Sequence, residues 1–155
     1  MMIFPEEKYK FMYAALQEAQ KAFDDNEVPI GCVVVKENKI IAKGYNQTER
    51  LKDPTAHAEM IAITSACYSL SEMRLNECDI YTTVEPCIMC TGAILHARIA
   101  NLYFACFDPK FGACGSLYNL IEEEKSNHKI KIFSGIYEKE SSILLQEFFK
   151  KKRMK

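Results

Sequence analysis

The chain has 155 residues, a net charge of −1, and 48% hydrophobic against 26% charged residues. This length suits a single domain over residues 1–155 that buries about two-thirds of the surface its unfolded chain exposes. The near-neutral balance excludes attraction of an anionic partner by overall field alone, and the longest near-apolar run, Val28 to Val35, is far too short to cross a membrane.

The elements follow in chain order without linkers, repeats or low-complexity segments. Phe11, Ala15, Ala19 and Ala22 recur at helical spacing and predict an opening helix. Apolar runs over Val28–Val35 and Ile40–Tyr45, separated by Glu37-Asn38, predict two strands in a hairpin. A helix beginning near His57 and reaching about Leu70 comes next, then a strand at Ile80–Thr83 and a helix from Cys87 to about His96. Strands at Ile99–Ala105 and Ile130–Phe133 and a helix over Ser141–Lys151 complete the chain. Strands separated by helices predict an α/β fold, one mixed sheet covered on both faces. Functional turns are expected beyond the carboxyl ends of its parallel strands.

Seven cysteines is an odd number, and the start Met1-Met2-Ile3-Phe4-Pro5-Glu6-Glu7 has neither the basic nor the apolar stretch of a leader. A reducing, cytoplasmic setting without disulfides is the expectation. Cys32, Cys67, Cys78, Cys106 and Cys114 read as small core residues.

Cys87 and Cys90 need another explanation. Spaced i and i+3, they share one face of a helix, and Pro86 suits a first helical position because it has no N–H to lose. The partial positive charge of a helix start favours thiolate, the form that ligates metal. Thirty residues earlier, His57-Ala58-Glu59 follows two candidate N-caps, Asp53 and Thr55, so His57 and Glu59 are expected in a first turn. Two helix starts would then converge on one metal. One imidazole and two thiolates leave a fourth tetrahedral position open to water, as a catalytic zinc requires. Two thiolates also offset the charge of the ion and weaken its Lewis acidity, so a proton carrier is needed, and Glu59 would take the proton from the zinc water and return it to a ring nitrogen and a departing amine. A redox pair would explain neither His57 nor Glu59, and a structural zinc would want a fourth Cys or His. Cys106 and Cys114 stand well downstream and lack the two-residue spacing.

Lys150, Lys151, Lys152, Arg153 and Lys155 form a basic tail after Phe148-Phe149. It reads equally as a frayed, solvated terminus or as a patch that contacts phosphates.

Several segments together resemble the bacterial tRNA-specific adenosine deaminases of the cytidine deaminase superfamily. They are Asp53 to Glu59, Thr83 to Ala93, Asp108-Pro109-Lys110, Gly112 with Gly115-Ser116-Leu117, Asn127-His128, and Phe148-Phe149 before the basic tail. The resemblance implies a three-layer α/β/α cytidine deaminase-like fold with a mixed five-stranded sheet. It implies one zinc per subunit on His57, Cys87 and Cys90, Glu59 as proton shuttle, Asn46 bonded to the target base, and Val28, Pro29 and Ala58 lining its pocket. Asp108, Lys110 and Phe149 would contact the substrate, a tRNA anticodon stem-loop, in a homodimer that converts adenosine to inosine at the wobble position by zinc-hydroxide hydrolytic deamination.

A guanine or other free nucleobase or nucleoside deaminase shares the zinc motifs and remains the alternative; the loop at Asp108 and the basic tail lean towards RNA, since a free base has no backbone to grip. A non-catalytic zinc or nucleic-acid-binding module would leave Glu59 without a purpose. Phe107 and Phe111, in a loop facing RNA, depart from the family pattern. The expectation is that they pack beneath the loop, with stacking on a splayed base as the alternative.

Overall fold

A computed structural model describes residues 3–122 and 128–154; Asn127 and Lys155, named above, lie outside them. The elements are α1 (Glu6–Asp24), β1 (Gly31–Lys36), β2 (Lys39–Tyr45), α2 (Thr48–Leu51), α3 (Ala58–Leu70), β3 (Cys78–Val84), α4 (Ile88–Ala97), β4 (Asn101–Cys106), β5 (Lys131–Ser134) and α5 (Glu138–Arg153). The strands form one sheet in the order β2-β1-β3-β4-β5. β1 is antiparallel to both neighbours, whereas β3, β4 and β5 run parallel. It follows that β2 and β3 point the same way and end on the same edge of the sheet.

Alternation along β1 shows why its sequence is apolar throughout. Cys32 and Val34 face a core shared with Ala62 and Ala66 of α3 and Ile94 of α4. Val33 and Val35 face the opposite core, with Phe11, Met12 and Ala15 of α1. A strand covered on both faces has no polar side to display. α5 joins the α1 layer, where Phe148 meets Phe23 edge-on at 6.0 Å, so the sheet is sandwiched between two helical layers. Across it, Tyr81, Tyr103 and Phe133 stack on successive strands at 4.5 and 4.8 Å.

Close approach fixes α3 against β2. A Cβ built on Gly44 would lie 2.6 Å from the carbonyl oxygen of Ala58 and 2.9 Å from the nitrogen of Ala62. The glycine and the small residues Ala58 and Ala62 let helix and strand backbones touch, which sets the helix start at the carboxyl edge of the sheet. The hairpin turn uses Glu37 and Asn38 with φ of 52° and 61°, the left-handed pair that a two-residue turn demands.

Two local differences from the sequence reading have plain causes. β1 begins at Gly31, not Val28, because Pro29 cannot donate to a ladder and Ile30 N–H turns back to Val28 O at 2.8 Å. The four-residue α2 has no periodicity to reveal it. It is held from outside by buried Glu27, whose carboxylate accepts the N–H groups of Glu49 and Arg50 at 2.9 and 2.7 Å. Among the described residues no helix is long and apolar enough to cross a membrane.

Candidate active site

His57 and Cys87 are the N-caps of α3 and α4, both with extended backbone. Neither Asp53 nor Thr55 caps α3, as the sequence had suggested. Asp53 Oδ1 instead accepts the N–H and hydroxyl of Thr55 at 2.8 and 2.7 Å, folding the approach to the helix. Pro86 likewise precedes the cap and is not the first helical residue. Its carbonyl accepts Ala113 N–H at 2.9 Å and Cys87 bridges to Gly112, which keeps both residues extended. The cysteine turn follows a parallel strand, β3. The histidine turn follows β2, whose neighbour is antiparallel, yet it reaches the same edge through α2.

The donor atoms are already gathered. His57 Nδ1 lies 3.6 Å from Cys87 Sγ and 3.5 Å from Cys90 Sγ. Tetrahedral zinc, at about 2.3 Å from sulfur and about 2.0–2.1 Å from nitrogen, sets its nitrogen and sulfur ligands about 3.6 Å apart. The cradle therefore fits zinc in both size and donor softness. Among the described residues no further Cys, His or carboxylate joins this group. Cys106 is engaged by Thr83 O and Ser141 Oγ, and Cys114 by Thr91 Oγ.

Electrostatics distinguish the sulfurs. The adjoining Cys90 thiol, with His57 beside it, holds Cys87 down at about 4. The Cys87 thiolate and burial push Cys90 well above the ordinary thiol range. The hydrogen bond to Cys87 raises His57. In the metal-free chain the two sulfurs thus share one proton. Glu59, in the first turn of α3, is only 4% exposed, and burial above all pushes its carboxyl up to about 7.

A cavity of about 930 Å³ opens over these groups. Of the residues proposed from sequence, Val28, Asn46, Ala58, Asp108, Lys110 and Phe149 line it together with His57, Glu59 and Cys87. Pro29 is buried and lies outside the lining, since the turn at Val28–Ile30 presents its neighbours instead. Asn46 is buried at the end of β2, with Nδ2 donating to Val28 O at 3.3 Å and Oδ1 accepting Thr48 N–H at 3.4 Å. The Phe107 and Phe111 rings do not pack beneath their loop: they are 50% and 65% exposed and both line the cavity. Over residues 150–153 the basic tail is helical, the last turn of α5, with Lys151 5.4 Å over the ring of Phe23 and Lys152 5.4 Å over that of Phe148.

Glu85 was missed. It is 3% exposed and also lines the cavity. Its carboxylate accepts the N–H groups of Asp108, Cys114 and Ser116, each at 3.0 Å, and the Ser116 hydroxyl. Asp108 Oδ1 in turn accepts Lys110 N–H and Phe111 N–H at 3.1 and 3.2 Å. One carboxylate thereby ties the strand that delivers Cys87 to the loop that carries Lys110. A Cβ on Gly112 would come within 2.3–2.4 Å of it, so only glycine fits. The signal in the sequence is a charge at the end of an apolar strand, immediately before Pro86-Cys87. Glu85→Gln and Gly112→Ala are each expected to cost about 2–4 kcal/mol, the first because it removes the charge that the loop N–H groups bond to, the second because its methyl group displaces that carboxylate. Urea unfolding of the zinc-loaded protein measures this, and an unchanged midpoint would refute the anchoring role.

A nitrogen and two sulfurs poised for zinc, with a buried glutamate beside them on an α/β/α sandwich, define a class of hydrolase that activates water on zinc. A family model for the cytidine and deoxycytidylate deaminase zinc-binding region matches residues 5–106. A tRNA-specific adenosine deaminase from Aquifex aeolicus is 47% identical over 146 residues, covering 94% of this chain and 96% of the relative. A solved structure from work on A-to-I editing by tRNA:A34 deaminases superposes with a TM-score of 0.85 at 43% identity, over 88% of this chain and 99% of that one. Guanine deaminase from Bacillus subtilis aligns at 39% identity and a TM-score of 0.62, over 67% of this chain and 66% of its own. The chain belongs to the cytidine and deoxycytidylate deaminase family. Within it, the likeness to tRNA-specific adenosine deaminases runs nearly end to end.

Proposed function

We propose that this protein deaminates adenosine to inosine at the wobble position of a tRNA anticodon. The carrying observation is the cavity: it joins the metal cradle, Glu59 and Asn46 to a mouth edged by Lys110 and Phe149. Its volume, about 930 Å³, lies near the top of the range for small-ligand clefts, about 300–1,000 Å³, and leaves room for more than one base. An adjoining groove shares Lys110 and Phe149 and adds Lys152 and Arg153. Cations beside an open mouth suit a substrate with phosphates.

His57 Nδ1 and the sulfurs of Cys87 and Cys90 would hold zinc, which when bound supplies Lewis acidity and an activated water. Glu59 would carry two protons in turn at its buried carboxylate, one from the attacking water to the purine ring nitrogen and one from the hydroxyl so added to the ring to the departing amine. Its position in the first turn of α3, off the metal shell, leaves it able to do so. Asn46 orients the base. Two of its four amide hydrogen-bonding positions are committed to Val28 and Thr48, which fixes the side chain and leaves the other two for the base. Asp108 holds Lys110 and Phe111 at the mouth through their N–H groups. The reading includes a homodimer, for which the exposed apolar side chains of Tyr68 and Met73 offer a surface.

The test compares substrates. Zinc-loaded protein should form inosine in an anticodon stem-loop with a kcat/KM about a thousandfold above that for free adenosine or guanine, the equivalent of about 4 kcal/mol of binding to flanking nucleotides. Ammonia release from guanine with none from the stem-loop would replace this reading with the free-base alternative.

A further inference from the structure

We propose that Phe107 and Phe111 are specificity-determining residues that stack on the bases flanking the target adenosine; the assignment rests on the RNA reading above. Surface loops that carry no ligand are built from polar and turn-forming side chains. Here two phenylalanines bracket Asp108-Pro109-Lys110 and stand half or more in water. Single exposed apolar residues need no explanation, but rings gathered on the rim of one cavity do. Phe149 of α5, 44% exposed, completes the set in the same lining.

Both residues are anchored to the fold. Phe107 meets the buried Phe104 edge-on at 5.1 Å and remains half exposed. The backbone of Phe111 is fixed through its N–H to Asp108 Oδ1, and Gly112 N–H closes the same turn on Asp108 O at 2.8 Å. Asp108 itself hangs from Glu85. A residue whose backbone is already ordered loses less freedom when a base settles on its ring, so more of the stacking energy appears as affinity.

Charge decides what settles there. Lys110 sits between the two rings in sequence, and Lys152 and Arg153 line the adjoining groove. Lysine is depleted from the centres of protein–protein contacts, whereas aromatic rings interleaved with cations are the pattern that grips single-stranded nucleic acid: cations follow the phosphates and rings take the bases. The occupant is therefore the unpaired RNA beside the target and not a second copy of this chain.

Stem-loop RNAs carrying 2-aminopurine immediately 5′ or 3′ of the target adenosine test this with zinc-loaded protein. Phe107→Ala and Phe111→Ala are expected to weaken Kd by about tenfold to a hundredfold and to raise KM more than they lower kcat. Each should abolish the quenching of one flanking 2-aminopurine, and Phe→Tyr at the same position should restore it. The log-log salt slope should match that of the unaltered protein, because no phosphate contact is lost, whereas Lys110→Gln should lower it by about 0.7. Alanine variants with unaltered Kd and quenching would overturn the proposal. So would variants that change only the sedimenting mass, which would give the rings to a protein contact. If the unaltered protein fails to bind the stem-loop at all, the RNA reading itself falls, a result distinct from normal binding without the rings.

Discussion

Glu59→Gln is expected to lower inosine formation by about 10²–10⁴-fold while the protein keeps its zinc and its affinity for the stem-loop. The amide has the shape of the carboxylate but can neither accept nor release a proton at neutral pH. Because Glu59 is no member of the donor set, the cradle of His57, Cys87 and Cys90 stays intact. Burial lifts the carboxyl to about 7 in the metal-free chain, and the positive charge of a bound zinc draws it down from there. The basic form is the one that accepts the first proton, so kcat/KM should rise with pH to a limb no higher than about 7. Single-turnover assays alongside metal analysis separate chemistry from binding. A variant with near-normal turnover would mean that another group carries the protons.

Loss of either sulfur should have a still wider effect. Cys90→Ala and Cys87→Ala are each expected to abolish tight zinc binding, and with it the contribution of the metal to folding, which in small structural zinc sites amounts to about 10–16 kcal/mol. The loss in this larger core should be a fraction of that, because sheet and helices bury their own apolar faces. The pH dependence of zinc uptake has a definite sign. Cys87 is already thiolate at neutral pH, Cys90 still holds its proton, and His57 binds its proton more tightly than a free imidazole. Zinc must displace the protons on Cys90 and His57, so affinity should climb with pH, steeply while His57 is charged and by about tenfold per unit once it is neutral. Competition with a chelator at several pH values measures this. Affinity that is flat from pH 6 to 8 would remove these residues from the ligand set.

How much was legible in the sequence depended on the range of the interaction. The metal donors could be read because each half is local: a two-residue gap places Cys87 and Cys90 on one helix start, and His57 with Glu59 on another. The five strands could be read because their apolar runs are short and bounded. The caps could not. Asp53 and Pro86 have the right chemistry for helix starts, but Asp53 is drawn into a turn with Thr55, and Pro86 is held extended by Ala113. The Asp53 turn is a local rival that uses the same side-chain oxygen a cap would use, whereas the partner of Pro86 lies far outside any window of ten residues and leaves no signature there. Glu85 and Glu27 illustrate the same limit. Each is a charge at the end of an apolar stretch, and each serves backbone groups more than twenty residues away in sequence. Phe107 and Phe111 failed for the opposite reason: apolar side chains are assigned to cores by default, and these two face the cavity.

The loop from Asp108 to Gly112 is pinned at both ends, by the hydrogen bond of Asp108 to Glu85 and by the fit of Gly112 against the same carboxylate. Pro109, Lys110 and Phe111 between these ends are exposed and contribute nothing to the sheet or to the metal cradle. On the reading proposed above, recognition is thereby modular. Three neighbouring codons can be rewritten by mutation or by an engineer to suit a different anticodon loop, and neither the catalytic metal nor the stability of the domain is put at risk by the experiment.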